Sequence, residues 1–206
     1  MNRRIATTSI LLLFIFCIAW RISEVNSKAR EVEVVTYEVG EEVAMGNDFL
    51  FDEQEPSRNY SFIVHGAEIM TPNEFLKQYA TDGVMSIDSV DSDDDSVIVL
   101  DMTIRNKGAE QGGIDAFLWQ IVPEEKNIAY RMDTELSGHI AAPLETGMIS
   151  VRPGGESRTH IAFSSFQDMP YLNSSSEYRR AGVMSKSFHI AFTMRPERKI
   201  VEFEAR

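Results

Sequence analysis

Between Val97 and Arg105 the chain keeps a strict period of two. Ile98, Leu100, Met102 and Ile104 fall on one face, and Asp101, Thr103 and Arg105 fall on the other. Successive side chains of a strand point to opposite sides, so this pattern describes a strand with one buried face and one wet face. The pattern recurs along the chain. Tyr60, Phe62 and Val64 oppose Ser61 and His65, while Ile161 and Phe163 alternate with His160, Ala162 and Ser164. Phe188, Ile190 and Phe192 alternate with Ser187, His189 and Thr193, and Val201 and Phe203 with Glu202 and Glu204. Glu31–Tyr37 alternates into a first strand. Ala116–Val122 is apolar on both faces apart from Gln120 and reads as a central strand with Trp119 in the core. Asn106-Lys107-Gly108, Gly112-Gly113, Pro123 and Pro153-Gly154-Gly155 supply turns between these runs. The expected fold is mainly β, an antiparallel sandwich of two sheets.

One segment breaks the alternation. Thr71-Pro72-Asn73-Glu74 combines an N-cap threonine, a proline at the first helical position and a glutamate three residues on. Phe75, Leu76 and Tyr79 then form an apolar patch, and Gly83 closes the segment. One short helix is expected over 72–80, packed over an end of the sandwich.

The N-terminus sets the compartment. Residues 5–20 carry no charge and follow Arg3 and Arg4, the order that engages export machinery. Counted to Ile22, with Arg21 reaching for the interface, the run is just long enough for a spanning helix of about 17–25 residues. Trp20 would then lie at the level of an aromatic belt. The reading is an uncleaved anchor over 1–22, a short stalk over 23–30 and an extracytoplasmic domain over 31–206. Cleavage after Ser27, with Val25 at −3, is the alternative and would give a secreted protein. A lipoprotein site at Cys17 is disfavoured, because Phe14-Ile15-Phe16 lacks the small residues such processing needs.

Charge narrows the partners. The 206 residues hold 20 Lys and Arg against 32 Asp and Glu, a formal net charge of −12. Residues 1–27 contribute +2 (Arg3, Arg4 and Arg21 against Glu24), which leaves −14 for residues 28–206. Nucleic-acid binding relies on Lys and Arg displacing counterions, so no nucleic-acid partner is expected. Cys17 is the single cysteine, so neither an internal disulfide nor a cysteine-based zinc site forms.

From Val97 onward the order of features resembles a known family. An alternating strand, the Asn106-Lys107-Gly108 turn and an aromatic strand with Phe117 and Trp119 come first. Pro153-Gly154-Gly155-Glu156-Ser157 then leads into Thr159–Phe163 and a final pair of alternating strands. Over roughly residues 60–204 this resembles the immunoglobulin-like, telokin-like extracellular domains of Gram-positive bacteria, many of them uncharacterised. The resemblance implies an immunoglobulin-like β-sandwich and an exported location. It brings no catalytic residues. The helix over 72–80 and the segment 168–185 depart from the family pattern.

Candidate sites are few. In the acidic run 88–96, Asp91, Asp93 and Asp95 reproduce the opening of a calcium loop, where hard oxygen ligands alternate. Ser96 stands where the turn glycine belongs, and Met102 where the closing glutamate belongs. A solvated connection is the simpler reading. The histidines His65, His139, His160 and His189 show neither H-x-x-x-H nor H-x-H spacing; His160 and His189 would meet only on neighbouring strands. Neither a G-x-S-x-G elbow nor a phosphate-cradling G-x-x-x-x-G-K-[ST] is present. The segment 168–185 holds Tyr171, a serine tract, Tyr178 and Arg179-Arg180, residue types that anchor interfaces. Asn59-Tyr60-Ser61 and Asn173-Ser174-Ser175 match the glycosylation pattern, which matters only in a eukaryotic secretory pathway.

The expectation is thus a non-enzymatic, membrane-anchored extracytoplasmic module that binds a protein or other envelope component. It carries no catalytic, cofactor or metal residues. A calcium-stabilised domain using 88–96 and a cryptic hydrolase are the alternatives.

Overall fold

The computed structural model describes residues 12–24, 32–52, 57–85, 96–108, 110, 113–125, 128–140, 148–166, 180–183 and 185–206. The chain divides into two compact units, Met1–Val32 and Glu33–Arg206. In the first, residues 12–24 form a helix, α1, whose apolar side chains are exposed. Ser23 and Glu24, at the start of the expected stalk, also belong to this helix. The rest of the stalk, like residues 1–11, lies outside the described residues. Among the described residues, no helix is long and apolar enough to cross a membrane.

The second unit runs β1 (Glu33–Tyr37), β2 (Glu42–Ala44), β3 (Tyr60–Met70), α2 (Pro72–Tyr79), β4 (Val97–Asn106) and β5 (Ile114–Asp115). A 3-10 turn (Ala116–Leu118), β6 (Gln120–Pro123), β7 (Tyr130–Met132), α3 (Thr134–Ser137) and β8 (Met148–Ile149) follow. β9 (Glu156–Phe166), β10 (Arg180–Ala181), β11 (Ser187–Ala191) and β12 (Glu197–Glu204) complete it.

The main sheet has the order β1-β12-β11-β6-β7-β9-β4-β3-β2, with β10 added beside β9, and β5 pairs β8 separately. It curls until its two halves face each other. β12 then meets β3 through a parallel bridge, Ala67 to Ala205, where Ile69 N–H donates to Arg206 O at 2.8 Å. Two separate sheets were expected. Here short β7 joins both halves, so one nearly barrel-like sheet takes their place. Nor is the pairing wholly antiparallel: β1 runs parallel to β12, Glu33 opposite Glu197.

The interior is what the alternation demanded. Tyr60, Phe62, Val64, Ile98, Leu100, Met102, Ile104, Ile161, Phe163, Phe188, Ile190, Phe192, Val201 and Phe203 share one core. At its centre Phe62 stacks on Phe192 at 4.6 Å, and both meet Trp119 edge-on at 5.0 and 5.2 Å. Such ring pairs contribute about 0.5–1.5 kcal/mol beyond their buried area. Trp119 is fully buried as expected, but not from a strand at Ala116. Asp115 caps the turn by accepting from Phe117 N–H, and only Gln120–Pro123 is extended.

α2 has the full capping box: Thr71 Oγ1 accepts from Glu74 N–H, and Glu74 Oε2 accepts from Thr71 N–H at 2.8 Å. Instead of covering an end, it lies on the outer face of the sheet. There Phe75 and Leu76 join Val97, Val99, Ala162 and Leu136 of α3 in a second small core. α3 is a helix that the alternation did not announce. Its N-cap Asp133 is buried, accepting from Leu136 N–H at 3.1 Å and from Ser164 Oγ–H at 2.6 Å.

One buried ion pair fixes the end where β1 enters. Lys199 Nζ lies 2.5 Å from Asp48 Oδ2 and donates to Ala44 O at 2.7 Å and Met45 O at 3.3 Å. Asp48 Oδ1 accepts from Glu197 N–H at 3.2 Å. The turn 45–48 is thereby clamped to β12.

Candidate functional site

The outer face beside α2 carries a polar constellation built by register. Asp101 on β4 lies opposite Gly66 on β3 and opposite His160 on β9. Between Val64 and Gly66 the β3 register slips by one residue, a bulge that sets His65 outward. His65 Nε2 then sits 2.8 Å from Thr103 Oγ1. Arg158, two residues before His160 on the same face, donates to both oxygens of Asp101 at 2.9 and 2.6 Å. His160 Nε2 is 3.6 Å from Asp101 Oδ1, and its ring stacks on Tyr79 of α2 with centroids 4.2 Å apart.

Of these, His65, Tyr79, Asp101 and His160 line a groove of about 430 Å³ together with Glu68, Glu204 and Arg206, while Arg158 holds Asp101 from outside the lining. A second hollow of about 410 Å³ shares Glu68 and Arg206 and continues past Glu74 and Gln78.

The charge states follow from the packing. The Arg158 hydrogen bonds, above all, hold Asp101 below the usual carboxylate range, so it is ionised at neutral pH. Burial pushes His160 below the ordinary histidine range; Asp101 pulls it back, and Arg158 adds to the push. His160 is therefore a neutral imidazole at pH 7. Burial, then the charges of Glu68 and Asp101, raises the Tyr79 phenol, which keeps its proton. The groove thus offers an uncharged aromatic pair beside a carboxylate that Arg158 holds in place from outside the lining.

The Thr103 hydroxyl and His65 imidazole touch, but Asp101 gives its oxygens to Arg158 instead of orienting His65, so no acid–imidazole–hydroxyl chain assembles there. Among the described residues no three His, Cys, Asp or Glu gather to hold a metal ion.

The other sequence candidates are dispersed. His160 and His189 do not meet, since β7 and β6 separate β9 from β11. His189 lies near Arg198 and opposite Glu202, and burial pushes it below the ordinary histidine range. His139 pairs its Nδ1 with Asp82 Oδ2 at 2.7 Å, tying the loop after α3 to the loop after α2. Asp91, Asp93 and Asp95 lie outside the described residues, as do 168–179 and Asn173. Arg180 and Ala181 form β10 against β9, so the tail of 168–185 is a strand, and Val183 N–H donates to Ser96 Oγ at 2.7 Å. Asp101, Arg158 and Tyr79 were not singled out from sequence. A glycine inside the β3 pattern, Gly66, was the available signal for the bulge.

A family model described as "Domain of unknown function (DUF5028)" matches residues 34–199, nearly the whole second unit. The chain belongs to this family. A search of curated protein sequences returns no match. Among solved structures, the chain is similar to a secreted protein from Mycobacterium tuberculosis, MPT63, at 14% identity and a TM-score of 0.39. That likeness covers 84% of this chain and 99% of the other.

Proposed function

We propose that this family member is an exported binding module, tethered to the membrane by its N-terminal segment, which takes a protein or other envelope component in the groove of β3, β4 and β9. The observation that carries the binding reading is the preformed groove, in which the ionised Asp101, held by Arg158 from outside the lining, stands beside the stacked Tyr79 and His160 rings. Pockets that bring a few fixed polar groups against aromatic walls are the usual ground for ligand recognition. Export and tethering rest on the uncharged run 5–20 behind Arg3 and Arg4, with residues 23–206 outside the cytoplasm. The immunoglobulin-like reading is supported by strand order. Strands β3-β4-β9 in one half and β6-β11-β12 in the other follow the A-B-E and C-F-G arrangement.

Two measurements test the proposal. Protease shaving of intact cells should remove the domain while leaving a membrane-associated N-terminal fragment; a chain protected in the cytosol refutes export. Recovery in the medium with residues 1–27 missing replaces the tether by cleavage. In-cell crosslinking of the full chain should yield an adduct that Tyr79→Ala and Arg158→Ala abolish. An adduct indifferent to both, or turnover of a substrate by the purified chain, refutes the groove as a non-catalytic binding site.

A further inference from the structure

The end of the second unit at which its chain enters carries exposed apolar side chains among exposed Asp52, Arg58, Lys107 and Asp115. Phe51 is 77% exposed, Phe117 52%, Met148 46%, Met194 39% and Leu118 38%. They come from four segments that the fold gathers. Phe49 O accepts from Met194 N–H at 2.8 Å, which joins the 48–52 and 192–195 segments. Leu50 and Leu118 line one small cavity, and Asp115 pairs with Met148, which brings in the 3-10 turn and β8. Beneath them sit the interlocked rings of Phe62, Trp119 and Phe192, while the Lys199 clamp holds the 45–48 turn. Clustered apolar side chains on the surface of a folded unit mark a contact with protein or lipid.

Connectivity selects the occupant. β1 starts at this same end, Glu33 opposite Glu197, and eight residues, 25–32, lead to it from α1. Even fully extended, eight residues span at most about 29 Å. With residues 5–22 in a bilayer, Ser23 and Glu24 add to this leash, and the ten residues 23–32 keep this end of the domain within about 36 Å of the membrane surface.

We propose that this tip docks into the interface of the bilayer that holds the N-terminal segment, with Phe51 and Phe117 entering at the acyl-chain boundary; this rests on the tethered reading above. The net charge of −14 over residues 28–206 gives no attraction to anionic headgroups. The contact is apolar, tolerates salt and needs only zwitterionic lipid.

The test places spin labels on the full chain in phosphatidylcholine vesicles and compares collisions with oxygen, which partitions into lipid, and with a nickel chelate, which stays in water. One label goes on native Cys17. The others go on Phe51→Cys and, at the opposite end, Met85→Cys, each in a Cys17→Ser background. The expected oxygen-to-nickel ratio at 51 is several-fold above that at 85, insensitive to added salt, and lowered by Phe117→Ser with Met148→Ser. Equal ratios at 51 and 85, with a high ratio at Cys17, overturn the docking and leave the tether intact. Low ratios at all three positions overturn both. Spin–spin broadening at 51 with a low ratio shows that a second copy covers the tip, which also overturns the proposal.

Discussion

Replacing Lys199 by methionine should be among the most damaging single changes in this domain. The methionine keeps most of the aliphatic volume but removes the ammonium that lies 2.5 Å from Asp48 and donates to two backbone carbonyls. The side chains are only 10% and 9% exposed, so water cannot replace the lost partner cheaply. Removing one member of a buried pair typically costs about 3–5 kcal/mol, because the other charge is left uncompensated. At about 2–4 °C per kcal/mol for a domain of this size, the melting temperature should fall by about 6–20 °C. Urea unfolding followed through tryptophan fluorescence gives the same quantity independently. Adding Asp48→Asn to Lys199→Met should recover part of the loss, since the amide oxygen still accepts from Glu197 N–H while the stranded charge is gone. A Lys199→Met protein within about 1 kcal/mol of the parent would show an exposed, loosely held turn and refute the clamp. So would a double variant less stable than Lys199→Met alone.

Other consequences are equally direct. His160 should titrate below the ordinary histidine range by NMR, and Arg158→Ala should move it upward, since a repelling charge leaves and Asp101 is freed to pair with the imidazole. Because the folded protein binds this proton less readily than the unfolded chain, His160 makes stability fall as pH drops through about 6.5 towards its folded value; Arg158→Ala should flatten that dependence. Gly113→Ala would place a Cβ 2.6 Å from Ile149 O, so the β5–β8 pairing must open, at about 1–3 kcal/mol in chemical denaturation. Millimolar calcium should leave the melting temperature unchanged, as the run 88–96 lacks the turn glycine and closing glutamate. A gain near 1.4 kcal/mol, the value for ligand at tenfold its dissociation constant, would reinstate Asp91, Asp93 and Asp95 as ligands.

Strand interiors were the most legible part of this sequence. Alternation from Tyr60, Val97, Ile161, Phe188 and Val201 marks core positions because burial acts residue by residue and leaves a local trace. The α2 cap was readable for the same reason, since Thr71, Pro72 and Glu74 act within one turn. What the alternation does not encode is which strands become neighbours. The parallel seat of β1, the bridge of Ala67 to Ala205 and the joining of both halves through β7 arise from contacts between distant segments. The groove belongs to that class. Asp101, Arg158 and His160 are ordinary wet-face residues of two strands until register makes them adjacent. Ala116–Leu118 failed for another reason: three apolar residues in a row do not distinguish a strand from a turn, and the Asp115 cap decided it.

The slip at His65 has a consequence for how this strand was shaped. Val64 stands opposite Met102 and Gly66 opposite Asp101, so His65 is the one residue of β3 without a cross-strand counterpart. Excising it would bring the remaining residues into unbroken alternation, with Ala67 and Ile69 still turned inward and the join to Arg206 undisturbed. The hydrophobic interior would therefore accept a shorter strand. Chain length at this point is set from the solvent side, where the supernumerary imidazole reaches Thr103 and lines the same groove as Asp101.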